Sequence, residues 1–218
     1  MRFVWMRERA AERRGRGVLV THTREGFMGH VRRISLALAA LVVVLVVLPA
    51  RPADAWVPNG CKYPGTNPAI GYRYYSLTSV WQTGFSSGQS AWNSTSAPGY
   101  FISTPLDPTP NIKVQDYSTS ATWSGLAQGG CDSGGGQVWY NELVTISFNN
   151  RLEEPQGSIV NFLVAAHELG HAYGLAHSLL GCGSNRPVMR SDPTWVYNNC
   201  GDSNAPYPND VAGVTAVY

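Results

Sequence analysis

The sequence of 218 residues has little of what nucleotide or nucleic-acid binding requires. No Gly-Lys-Ser/Thr follows the glycine-rich stretch 129–136, so this stretch is not a phosphate-binding loop. Residues 56–218 hold six Lys/Arg and ten Asp/Glu, so the formal charge of +2 comes from the first 55 residues. Without a basic patch, the chain lacks the electrostatic footprint of a phosphate-backbone binder, and no nucleic-acid partner is expected. No internal repeat is present, and no apolar run reaches the ~20 residues of a membrane span.

The first 55 residues are typical of a leader that is removed on export. Residues 1–30 are polar and arginine-rich, residues 34–48 are apolar, and Ala53-Asp54-Ala55 fits a small-x-small cleavage site. We therefore predict a leader with a signal peptide over 1–55, with Met28 as an alternative true start. One domain of 56–218 follows, long enough for its own core, and the protein is expected to be secreted and extracellular. The alternative is an uncleaved anchor that holds the protein in a membrane through residues 34–48.

All four cysteines come after the leader, and no two of them form a C-x-x-C pair. They are Cys61, Cys131, Cys182 and Cys200. An even number of cysteines in an exported chain predicts two disulfides, and the sequence alone allows three pairings. The alternative is a set of free buried thiols.

Strand patterns and helical patterns alternate along the rest of the chain. Short strands are predicted at 70–75, 100–102, 112–114, 122–127 and 144–148, because apolar and aromatic residues cluster or alternate there. A helix is predicted over 78–94, since one helical face carries Trp81, Phe85, Gly88 and Trp92. This order predicts a mixed α/β domain with a sheet packed on helices.

Two more helices are predicted in the second half of the chain. The first has Ser158 as its N-cap. Its packed side is predicted to consist of Ile159, Phe162, Leu163, Ala166, Leu169 and Gly170, the small ones allowing a close neighbour. The last helix has Asp210 in its first turn, where a negative charge is favoured. Its buried stripe is predicted to be Val211, Val214 and Val217, and residues 178–209 are predicted to be loop.

The stretch 167–177 carries the chemistry of the chain. His167 and His171 are four residues apart, so a helix places both imidazoles on one face, where they can reach one metal ion. Glu168 then lies near that metal without pointing at it, which suits a base acting on a metal-activated water. Gly174 can take the left-handed conformation that ends a helix, and the reversed chain can deliver His177. Three imidazoles and one open position are typical of a catalytic zinc site.

This His-Glu-x-x-His-x-x-Gly-x-x-His stretch, followed by Met189 in a turn-like setting, resembles the metzincin signature with its methionine turn. Ser178 and the closing stretch 209–218 are similar to the matrixin branch. The resemblance covers about residues 70–218. It implies a metzincin-type zincin domain, with a twisted mixed sheet, an active-site helix and a C-terminal helix around a substrate cleft. The stretch after Met189 is Arg-Ser-Asp, which departs from the matrixin pattern and leaves one cleft wall unassigned.

The resemblance implies a secreted zinc endopeptidase acting on protein or peptide substrates, with Glu168 as general base. His167, His171 and His177 would hold one zinc ion, and Met189 would support them without ligating. The alternatives are a zinc-stabilised binding or adhesion module without peptidase activity, and a zinc hydrolase acting on other substrates. A monomer is expected, without stable membrane association after leader cleavage.

Three further expectations concern metals, disulfides and docking. Calcium could bind carboxylates such as those of Asp116, Asp132 and Asp192, although no spacing specifies a calcium loop. Among the three pairings we favour Cys182–Cys200, which closes a loop around the methionine turn, and Cys61–Cys131. Cys61 would then not be a free thiol able to cover the zinc. By the resemblance, substrate would dock on an edge strand at 122–127, and proline at position 126 would test this if that N–H faces the substrate.

Overall fold

The computed structural model describes residues 57–132, 137–152, 157–183, 186–201 and 204–218. The predicted leader and membrane run at 34–48 lie outside the described residues, as does part of the glycine-rich stretch at 129–136. Within the described residues, no helix is both long and apolar enough to cross a membrane. The strands are β1 (Val57–Pro58), β2 (Ala69–Ser76), β3 (Tyr100–Ser103), β4 (Ile112–Tyr117), β5 (Gly125–Gln128), β6 (Val144–Asn149) and β7 (Leu175–Ala176). The helices are α1 (Ser79–Asn93), α2 (Ser158–Ala172), α3 (Thr194–Cys200) and α4 (Pro208–Val217).

Five strands form one mixed sheet in the order β3-β2-β4-β6-β5. The pairs β2–β3, β2–β4 and β4–β6 are parallel, whereas β5 runs antiparallel to β6 at one edge. The alternating burial of β4 shows that one face of the sheet packs on the core. Each predicted strand has a counterpart, but the one predicted at 122–127 begins only at Gly125, and residues 122–124 are not part of a strand. The prediction of an α/β domain with a mixed sheet, a central helix and a C-terminal helix is confirmed.

Helix α1 packs closely on α2 through the predicted face. Trp81, Phe85, Gly88 and Trp92 are all buried. A Cβ atom at Gly88 would lie 2.9 Å from the main-chain nitrogen of Ala166, so only glycine permits this separation of the helices. The indole N–H of Trp92 donates to the Ala166 carbonyl at 2.8 Å. The prediction that small residues on α2 admit a close neighbour is confirmed.

The details of helix ends differ from the prediction. Helix α2 begins at Ser158, its N-cap is Gly157 with φ of 100°, and no side chain caps it, so Ser158 is not the N-cap. Ile159 is 42% exposed, because the first turn of α2 faces solvent on that side. From Leu163 onward nearly every position of α2 is buried, as expected for a helix covered on several sides.

The region 178–209 is not all loop, since α3 lies within it. Asp192 accepts hydrogen bonds from the main-chain N–H groups of Thr194 and Trp195, which lie in the first turn of α3. Seven residues are too few to show a helical period. The aspartate at the start of the helix was therefore the only signal of α3 in the sequence.

Helix α4 is rotated relative to the predicted stripe. Asp210 lies in its first turn, as predicted, but it is buried together with Gly213 and Val214. Val211 and Val217 are only partly buried. The carboxylate of Asp210 is turned inward because Oδ2 accepts hydrogen bonds from the N–H groups of Val188 and Tyr207, each at 2.9 Å.

Both favoured disulfides are present. Cys61 is bonded to Cys131 and Cys182 to Cys200, and no cysteine of the described residues is free. The second bridge joins the segment after the third histidine to the last residue of α3. It therefore encloses the turn that contains Met189, as predicted.

Candidate metal centre

The end of α2 and the turn that follows it bring three histidines together. His167 and His171 lie on one side of α2, and the helix ends at Ala172. Gly174 has φ of 105°, and a Cβ atom there would lie 2.6 Å from the carbonyl oxygen of Cys61. Only glycine fits this reversal, which leads the chain through β7 to His177.

The three imidazoles present a converging set of nitrogen atoms. Nε2 of His171 lies 3.0 Å from Nε2 of His167 and 3.2 Å from Nε2 of His177. Tetrahedral zinc with bonds of 2.0–2.1 Å would separate its nitrogen ligands by about 3.3 Å. The donor set and its spacing therefore fit a zinc ion, and these three residues form a group that could hold a metal.

Main-chain carbonyls fix which nitrogen of each buried imidazole faces the metal position. Nδ1–H of His167 donates to the Val188 carbonyl at 2.8 Å, and Nδ1–H of His171 donates to the Leu175 carbonyl at 2.7 Å. Because a carbonyl can only accept, the hydrogen resides on Nδ1, and Nε2 keeps its lone pair for a metal.

The electrostatics of the site keep the imidazoles neutral. Burial lowers the pKa of His167 well below its usual value and lowers that of His171 to about 4, against the hydrogen bonds to Val188 and Leu175. Partial desolvation also lowers the pKa of His177, although its side chain is exposed. Neutral imidazole is the form that binds metal, so the apo site already favours it.

Glu168 lies in the same cleft but outside the histidine group. Its side chain is 3% exposed, and Oε2 has no hydrogen-bond partner among the described residues. Burial raises the pKa of Glu168 to about 8, opposed by a hydrogen bond from the main-chain N–H of Ala127. An unpaired buried carboxyl oxygen beside a metal position is placed to accept a proton from water.

The predicted methionine turn lies behind α2. Met189 is 2% exposed, and its sulfur packs against Gly170. The Ser178 N–H donates to the Met189 carbonyl at 2.7 Å, which ties the turn to the chain just after His177. Met189 is not among the candidate ligand atoms, and it contacts the helix that carries two of them.

The histidines and Glu168 open onto a cleft of about 810 Å³. One wall contains β5 and the residues before it, from Thr122 to Ala127. The other contains residues 191–194, so the segment after Met189, unassigned from the sequence, forms part of this wall. Asp192 in that wall caps α3.

Strand β5 lies at the sheet edge, yet Leu126 does not present its N–H to the cleft. Asn149 N–H donates to the Ser124 carbonyl at 2.9 Å, and hydrogen-bonded pairs alternate along an antiparallel ladder. Leu126, paired with Ser147, therefore directs its main-chain groups at β6. The outward groups belong to Gly125 and Ala127, which agrees with the hydrogen bond from Ala127 to Glu168.

Of the three aspartates named as possible calcium ligands, two accept hydrogen bonds from nearby protein groups and the third is exposed. Asp116 is buried and accepts hydrogen bonds from the N–H and hydroxyl of Thr78, both at 2.7 Å. Asp192 caps α3, and Asp132 is exposed. In the part of the chain that the structure describes, only the three histidines form a group of three or more potential metal ligands.

Sequence reasoning missed residues that shape the site from a distance. Asp210 holds the Val188 N–H, while the Val188 carbonyl orients His167. Gly125 allows Glu168 to stand against β5, since a Cβ atom there would lie 2.6 Å from Oε1. None of these positions carries a local signal, because each acts on a group far away along the chain.

Comparisons with known proteins give limited likenesses. No family model matches the chain, and no curated protein matches it. One solved structure, described as "Structure of myroilysin", has 20% identity and a TM-score of 0.40 over 56% of this chain and 54% of that chain. Another, "Crystal structure of myroilysin", has 22% identity and a TM-score of 0.38 over 78% and 76%. This chain thus spans about half of the first structure, and likeness at this level assigns neither family nor activity.

Proposed function

We propose that the protein is a secreted zinc-dependent endopeptidase of the matrixin-like metzincin type. The observation that carries the proposal is the convergence of three Nε2 atoms beside a buried carboxyl group that is not one of the ligands. A structural zinc site is closed by four protein ligands, whereas three histidines leave a position open. The two disulfides support an extracellular setting.

His167, His171 and His177 would hold one zinc ion through Nε2. When bound, zinc supplies Lewis acidity, which lowers the pKa of water toward ~7 and polarises a carbonyl group. Glu168 accepts a proton from the attacking water and then donates it to the nitrogen of the leaving amine. Burial raises the pKa of Glu168, so its carboxylate is a stronger base than an exposed one, while the positive charge of an occupied metal site would favour the ionised form that starts the reaction.

The sheet edge supports an extended peptide as the substrate. A peptide can add to an exposed strand edge and gain main-chain hydrogen bonds. Strand β5 lines the cleft beside Glu168, and its outward main-chain groups at Gly125 and Ala127 face away from β6. A peptide bond beside this edge would lie next to the proposed metal position.

Digestion of casein or gelatin tests the proposal. We expect the purified exported protein to cleave them, and a zinc chelator to stop cleavage until zinc is restored. Glu168→Ala is the matched control, because it leaves all three histidines in place. It should keep its zinc by elemental analysis and lose at least ~10²–10⁴ in rate. A variant that cleaves at the wild-type rate contradicts the role of Glu168.

A wild-type protein that binds zinc but cleaves no protein or peptide would favour the alternatives. Hydrolysis of another substrate class, lost in Glu168→Ala, would indicate a zinc hydrolase. Zinc binding without any hydrolysis would indicate a binding or adhesion module.

A further inference from the structure

The segment 119–124, here the rim segment, enters β5 without regular secondary structure of its own. Thr122, Trp123 and Ser124 from this segment line the cleft. Main-chain groups outside a helix or ladder need other partners, and those partners decide where such a segment lies. The position of this part of the cleft therefore depends on what binds the main chain of the rim segment.

Two side chains at the end of β6 bind it. Asn149 Nδ2 donates to the carbonyls of Ala121 at 3.2 Å and Trp123 at 3.1 Å, and Oδ1 accepts from the Thr119 N–H at 3.3 Å. Arg151 Nε donates to the Thr119 carbonyl at 2.7 Å, and Nη2 donates to the Ala121 carbonyl at 2.9 Å. Five side-chain hydrogen bonds thus hold three residues of one short segment.

The Asn149 side chain also binds the main chain of Arg151. Oδ1 of Asn149 accepts from the main-chain N–H of Arg151 at 3.2 Å, and Asn149 is fully buried. The rigid guanidinium plane of Arg151 can serve two carbonyls at once, which a lysine ammonium does with less precise geometry. Neither side chain lines the cleft, so each would act on substrate through the rim segment.

We propose that Asn149 and Arg151 are positioning residues that set the substrate-binding geometry of the rim segment. The inference rests on the proposed peptidase function and adds a determinant of extended-substrate binding. Substrate residues that lie against Thr122 and Trp123 should depend on the pair, whereas the metal group and Glu168 should not.

Arg151→Met in the full-length exported protein is the first test, because the guanidinium is exposed and the variant keeps an apolar stem. Arg73→Met is the matched control, since Arg73 donates to a loop carbonyl, that of Asp107 at 3.0 Å, away from the cleft lining. Arg151→Lys should give an intermediate result. Each protein is assayed on one long peptide and on two peptides truncated from opposite ends.

For Arg151→Met we expect KM on the long peptide to rise roughly 3- to 10-fold, as for loss of charge-assisted hydrogen bonds on the surface. We expect kcat within about twofold of wild type, unchanged zinc content, and an unchanged KM for the one truncated peptide that no longer reaches the rim segment. Amide hydrogen exchange in 119–124 should quicken in this variant and not in Arg73→Met.

An active wild type with unchanged KM and exchange in Arg151→Met would overturn this inference alone. So would an equal rise in KM for all three peptides, or a loss of zinc, since either indicates a general structural role. A wild type that cleaves no peptide would overturn the proposed function, and this inference with it.

Discussion

The close contact between α1 and α2 can be tested by adding one methyl group. In Gly88→Ala the new Cβ atom would lie 2.9 Å from Ala166 N, 3.2 Å from the Ala165 carbonyl carbon and 3.3 Å from Ala165 Cβ. Two of these three atoms belong to the backbone of α2, so no side-chain rotation relieves the contact. The helices would have to separate by several tenths of an ångström, which loosens Trp92 against the Ala166 carbonyl.

The magnitude follows from two opposed effects. Overpacking a core position costs ~1–3 kcal/mol, while exchanging glycine for alanine inside a helix gains up to about 1 kcal/mol. We therefore expect a net loss of about 1–2 kcal/mol, or a fall in Tm of roughly 2–8 °C for a domain of this size. Ser87→Ala in the exposed face of α1 is the control and should stay within about 0.5 kcal/mol of wild type. Thermal unfolding with saturating zinc measures both, and a Gly88→Ala Tm equal to or above that of the control refutes the packing argument.

Three other predictions concern charge, metal and the sheet edge. Burial raises the pKa of Asp210 from 3.8 to about 6, so the stability linked to its neutral form is complete below pH 4 and lost as pH rises through 6. Asp210→Asn should remove the change in unfolding free energy between pH 4 and pH 6, which is on the order of 3 kcal/mol. Urea unfolding of chelator-treated protein at several pH values measures this. Wild type and variant that lose stability equally over this pH range would contradict the prediction. The protein should bind one zinc per chain and His177→Ala should bind it far more weakly; elemental analysis that finds two tightly held zinc ions would contradict the assignment. Leu126→Pro should lower Tm as well as raise KM, because the main-chain N–H that proline removes is directed at β6. An unchanged Tm would show that this N–H points away from β6.

The parts of the structure that were predicted from the sequence are those with a local period or spacing. The histidines, Gly174 and the buried face of α1 follow from helical geometry, and the pairing of Cys182 with Cys200 followed from the position of Met189 between them. Helix α3 was missed because seven residues give no period. Of the three valines assigned to the stripe of α4, Val214 is buried as predicted, but packing also buried Asp210, since two main-chain N–H groups compensate its carboxylate.

Residues that act across the fold could not be predicted in this way. Asn149 ends an ordinary strand and Arg151 follows it, and most of their partners in the rim segment are carbonyls about thirty residues earlier in the chain. A hydrogen bond to a main-chain carbonyl places no demand on the type of its residue, so it leaves no pattern in the partner sequence. The same holds for the Val188 and Leu175 carbonyls that orient the two histidines of α2.

The spacing of the histidines is therefore necessary for the candidate metal centre but not sufficient. A helix brings His167 and His171 near each other, yet their rings can still rotate and exchange the hydrogen between Nδ1 and Nε2. The Leu175 carbonyl is available to His171 because Gly174 reverses the chain, and the Val188 carbonyl is available to His167 because Asp210 holds the N–H of the same residue. The tautomer that leaves Nε2 of His167 and His171 free for a metal is thus selected by main-chain groups from the turn after α2 and from the turn that contains Met189. Since α4 supplies the carboxylate that binds the second of these turns, the last helix of the chain takes part in ordering the candidate metal centre without contributing one of its three histidines.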